Sequence, residues 1–176
     1  MEIDAFNRRI AYMKSKILAW SQIPLLILTV LFFNTSVFAA ENDKEAIENA
    51  DKYFYTALNQ MFTGDLDQMK VIWSHANDVT YMGPGGEFNI GWEKVLKTWK
   101  KQAAMKLGGK VEPADTQITM GRDMAVVNCY EKGENSDTNG NVQKVSIRAT
   151  NVFRKEGGKW KMIGHHTDLL PYLAKS

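Results

Sequence analysis

The last part of the chain alternates apolar and polar residues with a period of two. Between positions 145 and 153 the odd-numbered side chains are mostly apolar and the even-numbered ones mostly polar. This spacing predicts a strand with two different faces, and the Glu156-Gly157-Gly158 turn leads into a second strand of the same kind. Asn151 is the polar exception in the apolar series, and His165 and His166 close the second strand. These three residues are the first candidates for function.

Earlier in the chain the apolar residues recur at steps of three and four, which predicts helices. The first predicted helix covers residues 41–62, and a shorter one covers residues 65–73 after Gly64. A third begins after Gly91, and its spacing places Trp92 and Trp99 on one apolar face.

Short strands and turns fill the rest. A strand is predicted at residues 79–82, before a Gly-Pro-Gly-Gly turn, and further strands at 111–120 and 124–131, the former interrupted near Pro113. The order is helix, helix, strand, helix and then four strands. It predicts an α+β domain, a cone-shaped half-barrel in which a curved antiparallel sheet wraps around three N-terminal helices.

The first 39 residues have the pattern of an export signal. Basic residues precede a mostly apolar stretch, and Val37 and Ala39 are the small residues expected three and one positions before a cut. We therefore predict a signal peptide at 1–39, cleaved after Ala39, and one domain at 40–176 that is periplasmic or secreted and has no membrane contact. Met13 is an alternative start. An uncleaved anchor is disfavoured because Pro24 and its polar neighbours shorten the apolar core.

Charge and cysteine content exclude several classes of function. The chain carries 22 basic and 20 acidic side chains, and the first 39 residues hold four and two of these, so residues 40–176 carry 18 of each. A neutral domain without a basic run argues against nucleic acid as a partner. The single cysteine, Cys129, excludes an intrachain disulfide and a multi-cysteine zinc site. The histidines lack recognisable metal-ligand spacing, and residues 83–86 lack the context of a dinucleotide loop, so no metal and no cofactor is predicted.

Three segments carry a family resemblance: W-S-H-A-N-D-V-T-Y-M-G-P-G-G, G-W-E-K-V-L-K-T-W and R-A-T-N-V-F-R-K-E-G-G-K-W-K-M-I-G-H-H. In this order they resemble the nuclear transport factor 2-like superfamily, above all SnoaL-like domains and the association domain of calcium/calmodulin-dependent kinase. The resemblance implies a conical α+β half-barrel with a pocket between helices and sheet, and commonly a homodimer through the convex face. The superfamily holds isomerases, cyclases, dehydratases, hydrolases and members without activity, so the fold alone does not give the function.

Ketosteroid isomerase, a member of the superfamily, can be compared residue by residue. Its catalytic tyrosine falls on Ala57, its general base on Gly83 and its oxyanion-hole acid on Asn151. A proton shuttle needs a titratable base near the substrate carbon, and glycine has none. The resemblance therefore disfavours ketosteroid-isomerase chemistry.

The same alignment implies which side chains point into the pocket. It directs four apolar residues inward: Val126, Ala149, Phe153 and Ile163. It also directs five polar residues inward: Tyr81, Asn128, Tyr130, Asn151 and His165. Strand alternation then places Cys129 and His166 on the convex side. Trp99 is a core residue by its helical spacing, and its ring would also suit a flat apolar ligand.

Several functions stay open on the sequence. In the first, the domain binds a small, largely apolar organic molecule, and His165 acts as general acid or base beside Asn151 and Tyr130 in an isomerase, dehydratase or cyclase. In the second, it is a dimerisation or interaction module without catalysis, in which His165 is a hydrogen-bonded structural histidine. In the third, it carries a ligand without chemistry. We expect His75 and Asp78, between the second helix and the first strand, to be structural.

Overall fold

The computed structural model describes the backbone of residues 23–137 and 139–174, and the side chains of these residues from position 42 onward. Contacts divide the chain into two units, residues 1–43 and residues 44–176. Helix α1 (Ile23–Met61) contains residues of both units, whereas α2 (Asp67–Ile72) and α3 (Trp92–Met105) belong to the second.

Six strands of the second unit form one sheet. They are β1 (Thr80–Met82), β2 (Phe88–Ile90), β3 (Lys110–Met120), β4 (Met124–Ser136), β5 (Val142–Glu156) and β6 (Lys159–Thr167). Their order across the sheet is β2-β1-β6-β5-β4-β3, so the sheet is open at β2 and β3. All neighbours are antiparallel except β1 and β6, which pair in parallel.

The core lies between the helices and the concave face of the sheet. Phe54 on α1 and Trp99 on α3 are buried against inward residues of the sheet such as Val127, Phe153 and Met162. Because each of these elements has only one apolar face, packing them together removes both faces from water and drives folding of the domain.

The predicted fold class is confirmed: helices are followed by a curved, unclosed sheet. Four details differ. The sheet is mixed rather than antiparallel as predicted, because β1 and β6 pair in parallel. Strand β2 was not predicted, because three residues are too few to show alternation. Helix α1 begins at Ile23 rather than at residue 41. The irregularity of β3 lies between Ala114 and Gln117, just after the predicted position at Pro113.

His75 and Asp78 have structural contacts. His75 Nε2 lies 2.9 Å from the carbonyl oxygen of Lys70, near the C-terminal end of α2, and its ring stacks on Trp92. The two Asp78 oxygens accept hydrogen bonds of 2.6 and 3.1 Å from Arg154 on β5, and the hydrogen bond from Arg154 lowers the pKa of Asp78. These contacts fix the loop between α2 and β1, which carries Tyr81 into the interior.

The predicted signal peptide lies largely outside the described residues, which exclude 1–22 and with them the alternative start at Met13. Cleavage after Ala39 stays a prediction. Within residues 23–137 and 139–174, no helix combines the length and the apolarity that a membrane crossing needs.

Candidate functional site

A row of side chains crosses the concave face of the sheet through the strand register. Tyr81 on β1 pairs with His165 on β6, His165 pairs with Asn151 on β5, and Asn151 pairs with Val127 on β4. Residues directly opposite one another in a sheet share a face, so all four project toward the helices. Each of the four is at most 3% exposed.

Hydrogen bonds link this row to helix α1. His165 Nδ1 lies 2.6 Å from Asn151 Oδ1, and Asn151 Nδ2 donates to Asp51 Oδ1 at 2.8 Å. Asn151 Nδ2 also lies 3.4 Å from the hydroxyl oxygen of Tyr55, one helical turn after Asp51. The arrangement is a buried polar chain from a carboxylate, through an amide, to an imidazole.

A second carboxyl group faces the same imidazole. Glu131 Oε1 on β4 lies 3.8 Å from His165 Nε2, and Glu131 is 4% exposed. This oxygen has no hydrogen-bond partner among the described residues. Tyr55, which lies 3.1 Å from the Cys129 thiol, also hydrogen-bonds Glu131. An unpaired buried carboxylate oxygen is costly, which makes this atom the natural partner for a ligand or a water molecule.

Burial sets the protonation of these groups, because a low-dielectric interior disfavours their charged forms. It raises the pKa of Glu131 to about 7, against a lowering hydrogen bond from Tyr55. It raises the pKa of Asp51 to about 6, against a lowering hydrogen bond from Asn151. Burial lowers the pKa of His165 to about 3, with a smaller contribution from the charge of His166. The imidazole is therefore neutral at neutral pH, whereas Glu131 is close to half-protonated.

These groups border a small cavity of about 30 Å³ inside the cone. Tyr81, Trp99 and Gln102 line it together with Glu131 and His165. Gln102 Nε2 donates to the Tyr81 oxygen at 2.6 Å, which leaves the hydroxyl proton of Tyr81 to be donated in turn. The Trp99 ring N–H has no acceptor among the described residues. The residues that line the cavity therefore offer two acceptors, Glu131 and His165, and two donors, Tyr81 and Trp99, and the cavity is too small for an organic ligand.

The C-terminal segment closes the mouth of this cavity. Leu170 and Leu173 line it, and the Leu170 N–H donates to the Pro84 carbonyl oxygen at 3.0 Å. Outside, a cleft of about 280 Å³ lies between α3 and the loop after β1. Gln102 and Leu173 line both spaces, so Leu173 is part of the wall that separates them.

The inward placement of Tyr81, Asn151 and His165 was predicted correctly, as was the outward placement of His166. Trp99 lies in the core and against the cavity, as predicted. These placements do not test the roles in ligand binding or catalysis.

The predicted placement of Asn128 and Tyr130 inside the cone is wrong. Both are exposed on the convex face, where Asn128 donates to the Thr150 hydroxyl at 2.9 Å and Tyr130 lines a groove of about 430 Å³. Strand β4 presents the other parity inward: Ala125, Val127, Cys129 and Glu131. Both parities of this strand contain apolar residues, and a shift of one residue exchanges the two faces.

The same parity error displaced other residues. Val126 is half-buried rather than inward, and Cys129 faces α1 rather than the convex side. Ile163 was also predicted to point inward, but a bulge between β5 and β6 leaves it without a register partner and half-buried. That bulge allows Met162 and His165, three positions apart, both to face the core.

Sequence reasoning missed Asp51, Tyr55 and Glu131. Asp51 follows Ile47 by four positions and precedes Tyr55 by four, so helical spacing places it on the buried stripe of α1. This position could have identified Asp51 from the sequence, since a carboxylate on a buried helix face needs a hydrogen-bond partner. Glu131 could have been found only with the correct parity of β4.

Among the described residues no group of three or more histidine, cysteine, aspartate or glutamate side chains is arranged to hold a metal ion. The site is built instead from hydrogen-bonding and titratable side chains around a closed, mostly apolar interior. The domain is therefore an α+β cone, and its buried polar groups lie between the helices and the curved sheet.

The chain belongs to the SnoaL-like domain family, whose model matches residues 47–170. Every residue of the site described above lies in this range except Leu173. No curated protein gives a significant match to the chain.

Solved structures of the same fold share little sequence with this chain. An NTF2-like candidate dehydratase from Streptomyces avermitilis is 24% identical, with a TM-score of 0.65 over 74% of this chain and 98% of that one. An NTF2-like protein with a cystatin-like fold from Novosphingobium aromaticivorans is 16% identical, with a TM-score of 0.62 over 78% and 88%. A candidate ketosteroid isomerase from Shewanella frigidimarina is 20% identical, with a TM-score of 0.57 over 70% and 94%. These likenesses establish the fold.

Proposed function

We propose that this domain binds a small, largely apolar carbonyl compound in the cone and moves a proton on it, with Glu131 as the general acid and base. One observation carries the proposal: the buried Glu131 carboxyl has an unpartnered oxygen beside His165, at a cavity that also presents hydrogen-bond donors. Such a site suits isomerisation or elimination next to a carbonyl, and the names of structural relatives include a candidate dehydratase and a candidate isomerase.

Glu131 is better matched to this role than His165, the residue that the sequence suggested. A general base works best with a pKa near the operating pH. The pKa of Glu131 is about 7, whereas that of His165 is about 3, so the imidazole is a weak base at neutral pH. In the proposal His165 is a neutral hydrogen-bond acceptor beside the carboxyl, with its Nε2 3.8 Å from Glu131 Oε1.

The proposed step uses groups that are already in place. The Glu131 carboxylate removes a proton from the carbon next to the carbonyl, and the electron pair of the broken C–H bond moves toward the carbonyl oxygen. Tyr81 and Trp99 donate hydrogen bonds to that oxygen as it becomes negative. Protonated Glu131 then returns the proton to a different carbon of the conjugated enolate, which completes an isomerisation, or first trades it for a solvent deuteron and deuterates the original carbon, which completes an exchange.

Ligand entry requires the C-terminal segment to move, because a cavity of about 30 Å³ is too small for an organic ligand. Displacing Leu173 would join this cavity to the outer cleft of about 280 Å³. Apolar side chains and few polar contacts hold the segment in place, and terminal segments of this kind open at low cost.

Cyclopentanone in deuterium oxide is a suitable first probe, because proton NMR follows the loss of its α-proton signal. We expect the wild-type protein to accelerate the exchange and Glu131→Gln to lower the rate roughly 100-fold, the usual contribution of a positioned base. Glu134→Gln, an exposed position on the same strand, is the matched control and should keep the wild-type rate. Equal rates for wild type and Glu131→Gln would rule out the proposed base.

We also propose export with cleavage after Ala39, and dimerisation through the convex face. That face exposes Met124, Tyr130 and Val142, the first two on β4 and the third on β5, beside the groove described above. A native mass spectrum of the protein made in a secreting bacterial host should show a dimer of chains that begin at Ala40. Tyr130→Arg should give monomers, whereas Val71→Arg, at an exposed apolar position on α2, should not. A longer chain or a wild-type monomer would contradict the corresponding proposal.

A second candidate function is a non-catalytic interaction module or a ligand carrier. The small volume of the cavity favours the module, since a filled cone leaves only surfaces for recognition. A dimer in the native spectrum, without bound small molecule and without exchange of the probe, would support this reading. Bound small molecule without exchange would support the carrier.

A further inference from the structure

Asn151 has an orientation that its neighbours determine. Its amide nitrogen faces two oxygen atoms, Asp51 Oδ1 at 2.8 Å and the Tyr55 hydroxyl at 3.4 Å. An ionised carboxylate only accepts hydrogen bonds, so the NH₂ group of Asn151 must point toward Asp51. The carbonyl oxygen of Asn151 therefore points the other way, at His165.

The orientation of Asn151 determines in turn which nitrogen of His165 carries the proton. Asn151 Oδ1 is an acceptor and lies 2.6 Å from His165 Nδ1, so a neutral imidazole must donate from Nδ1. A neutral ring has one N–H, which leaves Nε2 as an unprotonated acceptor. Glu131 Oε1 would favour the other tautomer by accepting a hydrogen bond from Nε2–H, but at 3.8 Å it is beyond hydrogen-bond range.

Packing holds the ring in this position. Phe54 lies 4.9 Å from the His165 ring centre, and Tyr81 stacks nearly parallel to the imidazole at 5.8 Å. Both neighbours are fully buried. With the ring fixed, the two nitrogens cannot exchange places, and only the position of the proton remains to be set.

We infer that Asp51, acting through Asn151, fixes His165 as the Nδ1–H tautomer and so presents the lone pair of Nε2 to Glu131. Asp51 and Asn151 are positioning residues rather than catalytic ones. The catalytic use of this tautomer rests on the proposed function, in which Glu131 is the general acid and base. At 3.8 Å the lone pair on Nε2 is too far from Glu131 Oε1 for a direct hydrogen bond, so it is left as an acceptor for a ligand or a water molecule between the two groups.

Long-range proton–nitrogen NMR correlation on the uniformly ¹⁵N-labelled protein reports the tautomer directly. The chain has three histidines, so His75→Gln and His166→Gln identify the His165 signals by elimination. The measurement belongs at pH 8, where Asp51 is ionised. We expect the Nδ1–H form to dominate by roughly tenfold, the worth of one short buried hydrogen bond.

Two variants of Asp51 separate positioning from mere packing. Asp51→Asn keeps the size of the side chain and an oxygen acceptor but adds an amide donor, so it satisfies either orientation of Asn151 and the excess of the Nδ1–H form should fall. Asp51→Leu removes that acceptor and frees the Asn151 amide to turn, so the Nε2–H form should rise to a comparable population. A dominant Nε2–H form in the wild type would overturn the inference on its own, even if Asp51→Leu does not fold. An unchanged tautomer in a folded Asp51→Leu protein would overturn the role of Asp51.

These outcomes are independent of the proposed function. The tautomer is measured without any ligand, whereas the proposed function is tested by the exchange of cyclopentanone protons. An Nδ1–H tautomer in a protein that exchanges no probe would leave the inference standing and remove the function.

Discussion

Replacing Glu131 by glutamine is expected to raise the melting temperature by about 10 °C at pH 8 and to leave it nearly unchanged at pH 5. The wild-type carboxyl has a pKa of about 7 in the folded protein against an ordinary value of 4.5. A difference of that size costs the folded state roughly 3 kcal/mol once both states are ionised. Glutamine is neutral at every pH and resembles the protonated acid in shape, so it removes this cost at pH 8 alone.

The sign of the effect follows from which state binds the proton more tightly. Burial favours the uncharged carboxyl, so the contribution of Glu131 to stability is complete below about pH 4.5 and is lost as the pH rises through about 7. Asp51 acts in the same direction between 3.8 and about 6. His165 acts in the opposite direction, because its stabilising contribution is complete above 6.5 and is lost as the pH falls toward about 3.

Thermal unfolding followed by circular dichroism at the two pH values measures the effect of Glu131→Gln. Glu134→Gln is the control, since the Glu134 side chain is exposed on the same strand. Equal shifts at pH 5 and pH 8 would show that the variant acts through packing and that the carboxyl does not titrate near neutrality.

Replacing Gly83 by alanine is expected to destabilise the domain by about 2–4 kcal/mol. A Cβ atom at this position would overlap the phenol end of the Tyr81 side chain. Tyr81 is fully buried, its ring lies 4.4 Å from that of Trp99, and Gln102 holds its hydroxyl. The ring therefore has no space to retreat. A side chain at this position, where the resemblance places the isomerase base, would displace the tyrosine that lines the cavity.

Urea unfolding of single and double variants tests this account. Gly85→Ala is the control, because the nearest atoms to its added methyl belong to the end of the flexible Glu87 side chain. In a Tyr81→Ala background, where the ring is absent, Gly83→Ala should cost under about 1 kcal/mol. A cost that is the same in both backgrounds would mean that the ring is not the obstacle.

The sequence was sufficient for the fold because the relevant patterns are long. The alternation in β5 and β6 and the helical spacing of α1 and α3 each extend over many residues. One irregular position therefore does not change the predicted type of element. Strand β2 has only three residues and left no such pattern. The family resemblance implied the inward placement of Asn151 and His165, and for Asn151 the unbroken alternation of β5 agrees with it.

The site was harder to predict because it depends on parity and on pairs distant in sequence. Asn151 and Asp51 are 100 positions apart, and no local pattern joins them. On β4, both the even-numbered and the odd-numbered side chains include apolar and polar residues. Alternation alone therefore could not show whether Asn128 and Tyr130 or Cys129 and Glu131 face the core. The continuous register with β5 decides it, since Asn151 faces Val127 and Ile147 faces Glu131. With that pairing, Glu131 would have been predicted to lie inside the cone beside His165.

The central claim is that Glu131 is a buried carboxyl that exchanges its proton near neutral pH beside His165. The most direct test is a ¹³C NMR titration of the Glu131 side-chain carboxyl in protein labelled at glutamate, with Glu131→Gln identifying the signal. The account predicts a midpoint near 7. A midpoint near the ordinary value of 4.5 would contradict it.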